Sequence, residues 1–223
     1  MTAIGEVLSS WLRYLPELLA GLRLSVTLTL VSMALGLVCG FVAAVARGSG
    51  SRLVRAPFDL YVSFFRGTPL LVQVFLVYYG LPQFGITLDP IPSAIVVFTL
   101  NAGAYLSETI RGAFFAVPHG QREAALSTGL STGQMLWYVV VPQALRVAIP
   151  PIGNTFVSLL KDTSLAAVIT IVELMRAGML IYARTFDPFT VLIEVALIYW
   201  VVTVLIVRAL RAYERRLGKA YAR

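Results

Sequence analysis

Glu108 and Arg111 stand three residues apart at the end of an apolar run, where an ionisable side chain is costly and therefore points to function. That spacing puts both on one helix face. Two readings follow: an ion pair within the helix that neutralises both, or an Arg111 guanidinium whose planar fork grips a ligand carboxylate. Asp162, with Thr163 and Ser164, interrupts a second apolar run beside Lys161. Unwound backbone next to an acid suits an ammonium or a basic side chain, whereas the plainer reading is a helix cap with a Lys161 contact. Gln73, inside a further apolar run, serves equally as a ligand contact or as a hydrogen-bond partner between helices. Arg66, at the cytoplasmic end where its span begins, reads as an arginine that snorkels to lipid headgroups. The substrate-binding candidates are thus Gln73, Glu108, Arg111, Asp162, Thr163 and Ser164.

Covalent chemistry has little to work with. The single cysteine, Cys39, sits in an apolar run and reads as a small hydrophobe, and the single histidine, His119, is assigned neither a metal nor a catalytic role. No Gly-x-x-x-x-Gly-Lys-Ser/Thr phosphate loop occurs in the chain. If ATP with its magnesium drives the protein, a partner subunit must bind it. No cofactor is expected in this chain.

The elements that position these residues must lie in lipid. Of 223 residues 58% are hydrophobic and 13% charged, against about 25% charged in a soluble domain. Spanning hydrocarbon takes about 20 mostly apolar helical residues, because every backbone amide must be paired internally. Residues 24–46 meet this without a charge and exceed the core of a signal peptide. Within them Gly36 and Gly40 are spaced for close helix packing. A second run covers 67–81 and needs to start before Arg66; a third covers 93–117. Residues 135–182 are too long for one crossing, so Pro150–Pro151 is expected to kink this stretch and 161–164 to break it. A fourth span at 143–160, a short partly inserted helix at 165–181, and a last span at 189–207 result.

Orientation comes from the arginines and lysines. Arg47, Arg52 and Arg55 follow the first span, and Arg208, Arg211, Arg215, Arg216, Lys219 and Arg223 follow the last, against a single acid, Glu214. Both groups belong on the cytoplasmic side. Five spans then carry an outside N-terminus to a cytoplasmic C-terminus. The net charge of +7 is this flanking charge, with no aromatic-interleaved basic face for nucleic acid. Residues 1–20, with Trp11, Leu12, Tyr14, Leu15, Leu18 and Leu19 at helical spacings, read as an interfacial amphipathic helix on the outer surface. The whole, 1–223, is one transmembrane domain with its core at 21–210, a cytoplasmic loop at 118–136 and a basic tail at 211–223.

That loop reads Glu123-Ala124-Ala125-Leu126-Ser127-Thr128-Gly129, and Pro142 closes a run of three valines. It resembles the signature loop of permease subunits of bacterial ATP-binding-cassette importers: Glu-Ala-Ala, three residues, Gly, nine residues, then an apolar pair ending in Pro. Val139 and Val141 stand where the family has Ile and Leu. Phe65–Gln73, Glu108–Ala113, Pro142–Ala144 and Leu160–Leu165 look like the polar amino acid branch, and the resemblance extends over residues 20–215.

The resemblance implies a type I importer permease fold, with a cytoplasmic coupling helix between the third and fourth spans. It also implies a second permease subunit, identical or sister, two cytoplasmic ATP-binding subunits and an extracytoplasmic solute-binding protein. The place is the bacterial cytoplasmic (inner) membrane. The coupling residues carried over are Glu123, Ala124, Ala125, Gly129 and Pro142. Small residues let a short helix sit in a groove of an ATPase, and Glu123 offers a charge for docking. The expected function is ATP-driven import of a polar amino acid. The alternative, a passive channel or secondary carrier, uses the same intramembrane charges but needs no coupling signature.

Overall fold

A computed structural model describes the backbone of residues 3–219 and the side chains of residues 11–215. The basic side chains of Arg216, Lys219 and Arg223 lie outside the described residues, as do the first ten side chains. The described chain is helical with no strand: α1 (Ala3–Arg47), α2 (Arg52–Gly67), α3 (Leu70–Phe75), α4 (Pro90–Phe115), α5 (His119–Ser127), α6 (Thr132–Met135), α7 (Val141–Asp162), α8 (Leu174–Thr185) and α9 (Pro188–Lys219). Four helical stretches are long and apolar enough to cross a bilayer: Trp11–Arg47, Pro90–Phe115, Thr132–Ile169 and Pro188–Arg215. Arg52–Gly67 and Leu70–Phe84, bent by 111°, make a fifth if the pair is one broken span. The architecture is the expected polytopic helical one of about five spans.

The N-terminal segment differs from expectation. It is no separate surface helix, because α1 runs unbroken from Ala3 through Pro16 to Arg47. Gly21, where an end at residue 20 would fall, does not stop it: the helix runs on, and the missing side chain lets the Glu173 backbone approach. Instead Leu18 is fully buried against Leu174, Ile181 and Val195, so tertiary packing extends the first span outward.

The seam that organises the bundle joins α1 to α4. A Cβ on Gly40 would stand 2.8 Å from the Leu106 Cβ and 2.9 Å from the Gly103 carbonyl oxygen, and one on Gly36 would stand 3.1 Å from the Ala102 Cβ. Glycine at these positions is what lets the two backbones touch. Gly103 in turn gives room to the Tyr61 hydroxyl, which donates to the Leu100 carbonyl at 2.6 Å and ties α2 to the same seam. Around this seam lies the main core, with Leu28, Met33, Val74, Phe98 and Leu106 buried beside Leu159 and Ile169.

Breaks in the helices are covered from within. After Gly67 the chain turns at Thr68–Pro69, where proline removes a donor and its predecessor is pushed to extended backbone. The carbonyls of Phe65 and Thr68 would be orphaned there. Gln73 Nε2 donates to both, at 2.9 and 3.1 Å, and Asn101 Nδ2 donates to Phe65 and to Gln73 Oε1, at 3.2 and 3.1 Å.

The second break falls later than its sequence suggests. α7 passes through Pro150–Pro151 as one helix and continues past Lys161–Ser164 as a tighter 3-10 segment, Thr163–Ile169. Thr163 Oγ1 and Ser164 Oγ bond back to the carbonyls of Leu160 and Lys161, both at 2.7 Å, so hydroxyls that looked like breakers keep the helix going. The stop is at Thr170, whose φ of +71° ends the turn. The expected short helix at 165–181 is thereby divided into the 3-10 segment and α8.

Glu173 fixes α8. Its side chain is fully buried and caps the helix, accepting from the Met175 and Arg176 amides at 3.0 and 2.8 Å. Ser25 of α1 and Tyr199 of α9 add hydroxyl donors at 3.3 and 3.0 Å, so three helices meet on one carboxyl. Burial pushes this carboxyl above the ordinary range, while the donors favour its ionised form and pull it back. Glu173→Ala leaves those donors unpaired in the interior. It should cost about 3 kcal/mol by the rule for half-broken buried polar sites, read as a lowered unfolding temperature in detergent. Gly40→Leu should cost about 1–3 kcal/mol through overpacking of the α1–α4 seam. Gly112→Leu, where an added Cβ meets nothing within 4 Å, should leave the same melting curve in place.

Candidate functional site

The polar connection between α4 and α7 is a built platform. Pro118 precedes α5, whose Ala125 is buried with Ala113, Val117, Met135, Val140 and Ala144. Arg122 Nη2 donates to the Phe114 carbonyl at 2.6 Å and Gln143 Nε2 reaches Gln121 Oε1 at 3.4 Å, so α5 is tied to both neighbouring spans. The turn after it needs glycine: Gly129 has φ +84°, and the amides of Thr128, Gly129 and Leu130 close back on Ala124, Leu126 and Ala125. A capping box between Ser131 and Gln134 then starts α6, and a wide π turn, Leu136–Val140, leads to Pro142 in the first turn of α7.

The signature residues divide between two faces. Ala125 turns inward, Pro142 is half-buried, and Glu123, Ala124 and Gly129 are exposed. Glu123, with 69% of its side chain exposed, faces His119 at 3.2 Å. An outward acid, small residues and exposed Leu126, Trp137 and Tyr138 make a surface that another protein can grip, on an element rigidly fastened to two spans.

The candidate ligand residues do not form one cluster. Glu108 and Arg111 are not paired with each other; both are engaged by α1. Arg47, 12% exposed, bonds Glu108 Oε1 through Nη1 at 2.6 Å and Asp59 Oδ1 through Nε at 2.7 Å, while Arg111 Nη1 donates to the Arg47 carbonyl at 3.1 Å. Arg66 adds a second cation 3.5 Å from Glu108 and Arg55 one at 3.3 Å from Asp59. The result is an ion-pair junction of α1, α2 and α4. Arg47 and Asp59 were not singled out as site residues by sequence, because each reads locally as a charge flanking a span. The closing of the first and second spans on the third is what aligns them.

Gln73 and the 162–164 segment lie in a second neighbourhood, where α3 packs on the 3-10 segment: Val74 shares a core with Ala166 and Ile169, and the Tyr79 hydroxyl donates to the Val168 carbonyl at 3.3 Å. Gln73 and Thr163 are buried and their polar atoms are engaged as described. Asp162 differs. It is half-buried and its carboxyl makes no hydrogen bond or ion pair among the described residues, although Lys161 acts on it electrostatically. Glu173 and Glu194 are acids that the same cost argument flags but that sequence reading passed over, each being a lone acid in an apolar run.

Comparison with known proteins agrees with this geometry. The family described as "binding-protein-dependent transport system inner membrane component" matches residues 36–219. The L-cystine transport system permease protein TcyB of Bacillus subtilis (strain 168) is 46% identical over 93% of this chain and 89% of its own. The glutamine transport system permease protein GlnP of Escherichia coli (strain K12) is 37% identical over 91% of this chain and 94% of its own. A crystal structure of an amino acid ABC transporter superposes with a TM-score of 0.89 at 34% identity, covering 93% of this chain and 97% of that one. The methionine ABC transporter MetNI, at 21% identity and a TM-score of 0.72 over 90% of this chain and 95% of that one, shares the fold. The passive channel or carrier alternative does not survive these matches. A multi-pass inner membrane chain whose polar platform is fastened to its spans, and whose sequence matches along nearly its whole length, belongs to the binding-protein-dependent transport system inner membrane component family, as a permease subunit of an ATP-binding-cassette importer that works with ATPase subunits.

Proposed function

We propose that this subunit imports a polar amino acid, with α5 as the element that receives the motion of the ATPase. The observation that carries the reading is the exposed face of α5, Glu123 and Ala124 beside the left-handed Gly129, on a helix held to α4 by Arg122 and buried Ala125. The N-terminus faces outside and the platform and C-terminus face the cytoplasm, in keeping with Arg52, Arg55, Arg208 and Arg211. Two cytoplasmic subunits bind ATP with magnesium, and a solute-binding protein delivers the ligand outside. A second permease subunit completes the pathway, since five spans are few to enclose one. ATP-driven closure rocks the two permeases between inward and outward openings.

Cystine and glutamine, the substrates of the systems to which TcyB and GlnP belong, are polar amino acids and support that substrate class. Asp162, whose carboxyl has no hydrogen bond or ion pair among the described residues and which lies in the neighbourhood of Gln73 and Thr163, receives the ligand's ammonium, with Ser164 beside it. Gln73 and Thr163 shape that neighbourhood. Glu108 and Arg111 hold the α1–α2–α4 junction and contact ligand only if that junction opens.

Reconstituted complex with its ATPase and binding protein provides the test. Gly129→Val, which forces a β-branched residue into φ +84°, and Glu123→Lys should each reduce ATP-dependent uptake of labelled cystine, glutamine and other polar amino acids more than about tenfold, while ATP hydrolysis persists. Full uptake by both variants would remove α5 from the mechanism. Asp162→Asn should raise the KM for the transported amino acid by about tenfold, the loss of one charge-assisted hydrogen bond, with ATP hydrolysis unchanged. An unchanged KM would assign Asp162 to the helix end alone.

A further inference from the structure

One buried ionisable group lies outside the candidate site and has no hydrogen-bond partner among the described residues. Glu194, in the second turn of α9, is 4% exposed, and neither carboxyl oxygen has a hydrogen-bond partner among the described residues. The indole Nε1 of Trp11 on α1 is likewise buried and unpaired. Both line the same cavity, of about 260 Å³, between α1 and α9. Its remaining walls are hydrocarbon, among them Leu15, Leu18 and Leu22 from α1 and Leu197, Ile198 and Val201 from α9. Both helices are membrane spans, so the groove opens between two spans.

A carboxyl in such a place calls for a donor, because an unpartnered acid in hydrocarbon costs several kcal/mol. The guest must also accept from an indole N–H and present a long apolar body to the leucine walls. We propose that this groove holds a phospholipid with a primary-ammonium headgroup. The ammonium donates to Glu194, an ester or phosphate oxygen accepts from Trp11 Nε1, and part of an acyl chain fills the apolar cavity. A choline headgroup matches the charge but has no N–H to donate, which makes headgroup methylation the discriminating variable.

The test is native mass spectrometry of the full-length chain in detergent, titrated with dioleoyl phosphatidylethanolamine or dioleoyl phosphatidylcholine. The wild type should retain the ethanolamine lipid about tenfold better at equal concentration, the worth of one charge-assisted hydrogen bond. Glu194→Gln should bring that ratio to about one. Val201→Trp, which fills the apolar wall and leaves Glu194 in place, should lower retention of both lipids. Equal retention by wild type, or a preference that survives Glu194→Gln in monodisperse protein, would overturn the site. So would disulfide formation between two copies through Leu197→Cys in a Cys39→Ser background, which would put a second subunit in the groove.

Discussion

In hydrocarbon no water completes an unpaired backbone group, and the shape of this subunit follows from that constraint. A transporter needs helices that break near its pathway, yet every break frees carbonyls. Each interruption here carries its own cover. Gln73 and Asn101 serve the carbonyls released at Thr68–Pro69, and Thr163 and Ser164 close the turn beyond α7. Glu173 takes the first amides of α8. These residues therefore have a full structural account before any ligand is considered. Asp162 stands out because it lies among them and has no such task.

Packing follows from a second, related constraint. Lipid tails are as apolar as leucine, so helices in a bilayer gain little from hiding apolar surface from one another and depend on close contact and polar ties. The α1–α4 seam supplies the contact through Gly36, Gly40 and Gly103. The polar ties sit towards its two ends: Arg47 with Asp59 and Glu108 at one, Glu173 with Ser25 and Tyr199 at the other. α1 takes part in all of them, so the helix that looked least specialised acts as the frame for the rest.

Much of this was legible in sequence where the signal is local. Gly36 and Gly40 announced their seam by spacing, and the interval from Glu123 to Pro142 announced the platform. The second span reads in sequence as unbroken from before Arg66 to residue 81, whereas the chain bends by 111° at Thr68–Pro69, where proline cannot continue the helix. Features that depend on distant partners were not legible. Glu108 and Arg111 have the right spacing to pair, but Arg47, some sixty residues earlier, reaches both first. A basic residue at the end of a span carries no mark that distinguishes a headgroup contact from an interhelical tie. Residues 1–20 have a surface-helix pattern, yet Leu18 and Tyr14 of that face pack in the cluster of Leu174 and Ile181, while Leu12, Leu15 and Leu19 stay exposed. The hydroxyls of Thr163 and Ser164 pointed to a break because side chain and backbone compete there, and only the fold shows that they bond back to their own helix.

The platform's two-faced construction bears on how force can pass through it. A loop attached at its ends would absorb a push by bending. α5 is attached along its length, by Ala125 in a core shared with α4 and α7, by Arg122 to the last turn of α4, and by Gln121 to Gln143. Displacing its exposed face must therefore displace the ends of both spans, because close-packed interiors shift between discrete arrangements rather than yield smoothly. α7 leads from Pro142 to Asp162, and α4 carries Glu108, the acid of the ion-pair junction. One rigid-body movement of α5 thus reaches both neighbourhoods that hold the candidate ligand residues.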